Sequence, residues 1–369
     1  MGTRGDLSGA IAHSADRVID AAGAVVIPGF VDAHTHLVFA GSRADEFEAR
    51  SGGATYEEIA ARGGGIRRTV ADTIAASDEE LLNSAAARAR EALAAGTTTL
   101  EVKSGYGLST GAELRLLGVI AELSRHLPQR IVATLLPLHA LPVGVDEPAH
   151  VDDVINNLLP QARPLARFCD AFCDRGAFSE AACREVLGVA DALGYGIRIH
   201  AEQLSHQGGA LLAAQLRAAS ADHLEHATRE DAAALAAAGV VGVLLPGAHL
   251  TLGGRDPDAR MMLAAGMKLA VATDCNPGTS NTTDMRLMVA LAVLQLGMTP
   301  GEALLAATRG GALSLREPDR GWLGPGAWAD LTFLDAASHV EISYRLGRVP
   351  VSRVMIAGVE ALGPGASAA

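Results

Sequence analysis

The sequence predicts an α/β fold: a (β/α)8 TIM-like barrel carrying a small β-sandwich domain built from both chain ends. Eight short β-branched runs alternate with longer stretches rich in Ala, Leu, Glu and Arg, the pattern of parallel strands joined by crossover helices. Several of these runs end on an ionisable residue, and the C-terminal rim of barrel strands is where such side chains meet. The chain ends differ in texture. Arg17–Ile27 and Gly324–Val359 are rich in Val, Ile, Gly and Pro, with turn signals such as Gly324-Pro325-Gly326. The expected boundaries are therefore 1–27 and 319–369 for the small domain and 28–318 for the barrel. An open doubly wound sheet is the alternative, but such sheets usually have fewer strands.

The strand-like runs are Pro28–His36, Thr97–Ser104, Ile131–His139, Phe168–Cys173, Gly196–Glu202, Ala221–Glu225, Gly239–Leu245 and Leu269–Asp274. Helical patterns between them include Asp78–Ala95, Gly111–His126, Ser179–Leu193, Arg229–Ala238 and Thr283–Leu296. The polar tips are His34 and His36, Lys103, His139, His200, His223 and Asp274. The segment Gly41–Thr73 holds Gly52-Gly53 and Gly63-Gly64-Gly65. An extended rim loop with a short helix is expected there, a common place for substrate contacts.

A chain of 369 residues suffices for one large barrel and a satellite domain. The net charge of −12 argues against a nucleic-acid or anionic-membrane partner. Cys169, Cys173, Cys183 and Cys275 fit no zinc-finger spacing and read as reduced thiols. No basic segment followed by an apolar run opens the chain, and the apolar stretches are too short and broken to span a bilayer. A cytoplasmic protein is expected.

His34-Thr35-His36 closes an apolar run. Residues two apart on a strand point to one side, so both imidazoles can reach one cation. Alone this pair is a weak signal. His200 ends the fifth run and Asp274 the eighth. Three imidazoles and one carboxylate leave a position open for water, as a catalytic site needs. A cation there makes water a better nucleophile and polarises a carbonyl. Asp274 could serve as both ligand and proton shuttle.

These residues resemble the amidohydrolase superfamily. The similarity to the imidazolonepropionase family is closer and runs from about Pro28 to Leu313. It is carried by His34-Thr35-His36-Leu37-Val38-Phe39-Ala40-Gly41-Ser42-Arg43 and Gly63-Gly64-Gly65-Ile66. It continues in Glu101-Val102-Lys103-Ser104-Gly105-Tyr106-Gly107-Leu108, His200-Ala201-Glu202-Gln203-Leu204 and Thr273-Asp274-Cys275-Asn276-Pro277-Gly278-Thr279-Ser280. The resemblance implies a barrel of the amidohydrolase type. It implies one divalent or trivalent ion, zinc or iron, held by His34, His36, His200 and Asp274. Lys103 is then a polar neighbour rather than a carbamylated bridge between two metals.

The implied substrate is 4-imidazolone-5-propanoate, opened to N-formimidoyl-L-glutamate in histidine degradation. Arg43 is expected to grip its carboxylate, and Tyr106 to approach it from a loop. His223 first, and His139 second, are expected to donate to the ring carbonyl or its oxyanion. Gln203 is expected beside the ring, with Glu202 behind it. Asn276, Gly278 and Thr279 follow the metal carboxylate in a turn whose N–H groups can bind ligand oxygens. The family pattern also implies more strand before Pro28 than Met1–Ile27 supplies, so a shortened N-terminal part is expected. Pro137-Leu138-His139 stands where the family more often has Gly-Ala-His, and Ala248-His249-Leu250 replaces an aromatic-containing segment. An aminohydrolase acting on a related heterocycle and a non-catalytic scaffold are the alternatives. The Arg43 and Tyr106 motifs disfavour the first, and the full ligand set the second. The expected partner is a small molecule, with neither nucleic acid nor membrane; a homodimer is left open.

Overall fold

The computed structural model describes residues 18–21, 23–54, 58 and 63–363. Most of the expected N-terminal part of the small domain lies outside the described residues. Among the described residues, twelve strands form two sheets. The larger holds β2 (Phe30–Asp32), β3 (Thr97–Lys103), β4 (Arg130–Leu138), β5 (Phe168–Cys173), β6 (Gly196–Ala201), β7 (Ser220–His223), β8 (Val241–Leu244) and β9 (Lys268–Val271), in that order and all parallel. Each pairs with its sequence neighbour, as short right-handed crossovers demand. These are the eight expected runs.

The circle closes where β2 and β9 have already ended. Thr35 bridges Cys275, His36 N–H donates to Cys275 O at 3.0 Å, and Asp274 N–H donates to His34 O at 3.0 Å. Below this bridge, the Asp32 carboxylate accepts from Thr273 N–H (3.0 Å) and Thr273 Oγ1 (2.6 Å). The seam of the barrel is thus stitched by the very residues singled out as ligands.

Local chemistry sets the helices. Ser77 and Glu80 form a capping box on Asp78–Ala94, Thr228 and Asp231 one on Arg229–Ala238, and Gly239 ends the latter in a left-handed conformation. Glu180–Ala192 starts at Ser179 and buries Cys183, Val186 and Leu187 against the barrel. Among the described residues, the rim segment after the first strand holds the helices Ala44–Ser51 and Ile66–Ala75 rather than a single short one. A helical run from Pro300 to Ser314 widens to a π-type turn over Ala306–Gly310. It lies across the seam. A Cβ on Gly310 would stand 2.0 Å from Leu269 O on β9, and one on Gly311 would stand 2.5 Å from Val31 O on β2.

The second sheet is antiparallel, in the order β1 (Val25–Pro28), β10 (Leu331–Leu334), β11 (Val351–Ile356) and β12 (Val359–Leu362). Both chain ends contribute, as expected. Among the described residues it is a single sheet, not two stacked layers. It meets the barrel at Gly96, whose carbonyl accepts from Phe30 N–H (3.0 Å) and Thr332 Oγ1 (2.8 Å). No helix among the described residues is long and apolar enough to cross a membrane.

Gly310→Ala should destabilise the fold by about 2–3 kcal/mol in urea unfolding, because the added methyl overpacks a strand backbone that cannot yield. Gly118→Ala, with open space around it in the middle of Thr110–His126, should instead stabilise by about 1 kcal/mol. Equal effects would contradict the tight seam packing.

Candidate metal centre and substrate pocket

Three buried imidazoles meet at the C-terminal end of the barrel. One nitrogen each from His34, His36 and His200 lies within 4.8 Å of the others. Asp274 joins them, with Oδ1 3.5 Å from His34 Nε2 and 3.4 Å from His36 Nε2. Asp274 (φ 52°) and His223 (φ 80°) occupy the left-handed region, which re-aims side chains beyond the reach of a regular strand.

The far side of two rings is fixed. His34 Nδ1–H donates to Asp222 Oδ2 at 2.6 Å. His200 Nδ1–H donates to Asp170 at 3.1–3.2 Å. A ring held this way presents a bare Nε2. His34 Nε2 and His200 Nε2 are both buried with no partner within the protein. Burial, then the Lys103 charge, pushes the His34 pKa well below its usual value, so the ring stays neutral and able to ligate. Burial raises the Asp274 pKa to about 6, a carboxylate short of countercharge. Two bare nitrogens, a third imidazole and an undercompensated carboxylate fit a cation.

Beneath this layer lies a buried ionic cluster. Lys103 Nζ contacts Glu101 Oε1 (2.8 Å) and Asp170 Oδ2 (2.7 Å), and Arg198 Nη2 contacts Asp222 Oδ2 (2.9 Å). Burial opposes the Lys103 charge, but Asp170 and Glu101 outweigh it and raise its pKa. Lys103 is therefore an ammonium. Carbamylation needs the free amine, so the polar-neighbour expectation fits this geometry. The sequence pattern assigns no role to Asp170, Asp222, Glu101 or Arg198. A signal existed: Asp32, Glu101 and Arg198 each stand two residues before a polar tip, on the same strand face.

Two further histidines flank the cluster and differ in character. His139 stacks on His36 with centroids 4.9 Å apart, and its Nδ1–H donates to Gly105 O at 2.9 Å. Burial, then His200, depresses its pKa to about 3. The neutral ring thus offers only a lone pair at Nε2. With Nδ1–H committed to Gly105 O, this geometry favours accepting at Nε2 over donating to an oxyanion. His223 lies 5.7 Å from His34 and 5.4 Å from His200 between centroids, with Nδ1 3.5 Å from Glu225 Oε1. Burial opposes its charge, but Glu225 outweighs it, with help from Asp274 and Asp222, and its pKa is raised.

The remaining expected contacts divide. Tyr106 is buried beside His36 and His139, at 5.9 and 5.2 Å between centroids. Arg43 stands over Gly278, where a Cβ would lie 2.3 Å from Arg43 Nη1. Its Nε donates to Glu46 Oε2 at 2.8 Å, and Glu46 Oε1 accepts from Gly65 N–H, tying the rim segments together. A cavity of about 240 Å³ opens there, lined by Arg43, Phe47, Arg50, Thr279 and Ser280. A larger apolar groove, about 600 Å³, runs along β1 and Trp322 and includes none of these residues. Gln203 is half-buried.

Other expectations change. The Gly278 and Thr279 N–H groups both donate to Asn276 Oδ1 at 2.8 Å, so they are engaged within the turn rather than open to a ligand oxygen. Asn276 Nδ2 donates to Asp274 O at 2.6 Å, so this side chain shapes the turn. Glu202 accepts from Gln207 N–H (2.7 Å) and Ala210 N–H (3.1 Å), which commits its carboxylate to the following loop.

Residues 25–361 match the model of the amidohydrolase family. The fold also matches a crystal structure of an adenosine deaminase from Xanthomonas campestris with bound zinc, at TM-score 0.69 and 20% identity over 93% of this chain and 81% of that one. Fold and matched span together define an amidohydrolase. Imidazolonepropionases of Streptomyces griseus and Streptomyces coelicolor are each 48% identical to it, over 94% of this chain and 87% of theirs. The chain belongs to the imidazolonepropionase family of amidohydrolases.

Titrating the metal-free chain with zinc should saturate at one equivalent. His200→Ala should weaken that binding by at least about tenfold, since even a supporting partner commands 10–100-fold. Saturation at two equivalents would point to a dinuclear site instead.

Proposed function

We propose that this chain hydrolyses the cyclic amide of 4-imidazolone-5-propanoate to N-formimidoyl-L-glutamate, the ring-opening step of histidine degradation. The observation that carries the reading is the three-imidazole, one-carboxylate cluster in a chain nearly half identical to named imidazolonepropionases. His34, His36, His200 and Asp274 would hold the ion, and this donor set suits zinc or iron. When bound, the ion supplies Lewis-acid polarisation of the ring carbonyl and a lowered pKa for water.

The protein's own groups do the rest. Asp274 takes the proton of the attacking water and returns it to the leaving ring nitrogen as the C–N bond breaks. Its raised pKa, about 6, suits a group that must both accept and release a proton. His223, whose pKa Glu225 raises against the effect of burial, donates to the carbonyl oxygen as that oxygen becomes anionic. His139 accepts from a ring N–H through Nε2 and so orients the substrate. Tyr106 walls the ring, and Gln203 reaches it from the half-buried rim. Arg43 binds the propanoate carboxylate, with Arg50 as a second cation in the same cavity. Asn276, Gly278 and Thr279 serve by shaping the turn, and Gly278 clears the space Arg43 occupies. Cysteines that are all free and buried support a cytoplasmic setting.

Loss of imidazolone ultraviolet absorbance follows the reaction directly. Asp274→Ala should lower kcat/KM by about 10³-fold or more, the scale of losing a general base and a ligand together. Arg43→Met should mainly raise KM, by about 10–100-fold, the worth of one charge-assisted pair. Rigorous chelation should abolish turnover and added metal restore it. Ammonia release with the ring intact, or full activity without metal, would overturn the assignment.

A further inference from the structure

Lys103 sits where three carboxylates converge. Its Nζ lies 2.8 Å from Glu101 Oε1, 2.7 Å from Asp170 Oδ2 and 3.9 Å from Asp222 Oδ2, and the side chain is fully buried. Each carboxylate leads to a different arm of the metal centre. Asp222 holds His34 Nδ1, and Asp170 holds His200 Nδ1. Glu101 Oε2 accepts from the backbone N–H of Thr35, the residue between His34 and His36, at 3.1 Å. The Glu101 carbonyl also accepts from Thr35 Oγ1 at 2.6 Å.

We propose that Lys103 is a positioning residue for the metal centre, one buried ammonium that fixes all three arms through Glu101, Asp170 and Asp222. The inference rests on the reading of His34, His36, His200 and Asp274 as metal ligands.

The physics is that of like charges in a poorly screened interior. Arg198 is the other cation of the cluster. It reaches Asp222 at 2.9 Å but Glu101 only at 3.9 Å, through an Nε that has no hydrogen-bond partner, while its Nη groups also donate to the Ala33 and Ser314 carbonyls. Without Lys103, Asp170 and Glu101 lose the cation they touch. They must then take up a proton or turn apart. A turned Asp170 frees the His200 ring to rotate, and a turned Glu101 slackens the backbone between His34 and His36. The His34 arm, still backed by Arg198, suffers less. Lys103 touches neither the cavity beside Arg43 nor any ligand atom, so its effect should appear in metal affinity and geometry.

The test compares Lys103→Met with the charge-balanced Lys103→Met/Glu101→Gln, where the amide oxygen can still accept from Thr35 N–H. Zinc affinity is read by competition with a chromophoric chelator, and the melting of metal-free protein is followed in parallel. The visible spectrum of the cobalt-loaded protein reports ligand geometry. Folded variants should bind zinc about 10–100-fold more weakly than the parent, with a changed cobalt spectrum. The double variant should melt, metal-free, near the parent. A folded variant within about threefold of the parent affinity, below what a supporting partner commands, with the parent cobalt spectrum, would overturn the proposal whatever its melting temperature. Failure of both variants to fold would assign Lys103 to the fold and overturn it too. A parent chain that binds no zinc would instead overturn the metal reading on which the proposal rests.

Discussion

Barrel closure and site assembly depend on the same few hydrogen bonds. β2 and β9 are too short to pair along their lengths, so the last gap is bridged by Thr35 against Cys275, flanked by bonds from His36 and Asp274. Asp32 clamps Thr273 just below. If the seam opens, His34 and His36 part from Asp274. If it holds, they arrive at bonding reach without further adjustment. Gly310 and Gly311 brace the outside of this seam, because only glycine lets the Pro300–Ser314 run lie directly on the two strand backbones. Close helix-on-strand packing and the chemistry therefore share a location, an arrangement that suits sites held to fractions of an ångström.

Closure brings the ligands near one another, but it does not orient them. Orientation comes from the layer below. Breaking a buried ion pair by removing one partner costs about 3–5 kcal/mol, whereas a well-packed apolar core of the same volume would often be as stable. Stability alone does not call for Glu101, Lys103, Asp170, Arg198 and Asp222 inside this barrel. Their geometry gives the better reason. Asp170 and Asp222 each accept from the Nδ1 of one imidazole, which leaves Nε2 bare and aimed inward. The same logic separates the flanking histidines: Gly105 O claims the His139 proton, while Glu225 favours a charged His223.

The sequence carried the outline because barrel strands obey simple periodicities. Asp78–Ala94 and Arg229–Ala238 are legible from their caps and amphipathic spacing, and the eight strands from their β-branched runs. His34, His36, His200 and Asp274 are legible as polar tips on apolar strands, and as motif residues. Long-range pairing was not legible. The partner of His34 lies 188 residues away, and nothing near His34 announces Asp222. The turn after Asp274 misled for a different reason: its free-looking N–H groups are taken by the Asn276 side chain, a local hydrogen bond that spacing does not reveal. The second rim helix and the π-type widening at Ala306–Gly310 also escaped, since tertiary packing rather than propensity sustains them.

Charge balance ties the two layers together. The lower cluster sets three carboxylates against two cations, an excess of one negative charge. The ionised Asp274 above it adds a second. Burial pushes the pKa values of His34, His36 and His139 down, so these rings bring no charge of their own to offset it. The centre thus gathers more carboxylates than cationic side chains in a buried region. Burial raises the Asp274 pKa to about 6, which disfavours an unaccompanied carboxylate there. A divalent cation among the bare nitrogens would offset this excess while Asp170 and Asp222 keep their bonds to the imidazoles. Electrostatics and donor geometry, two independent constraints, therefore ask for the same occupant, and each makes the other's cost smaller.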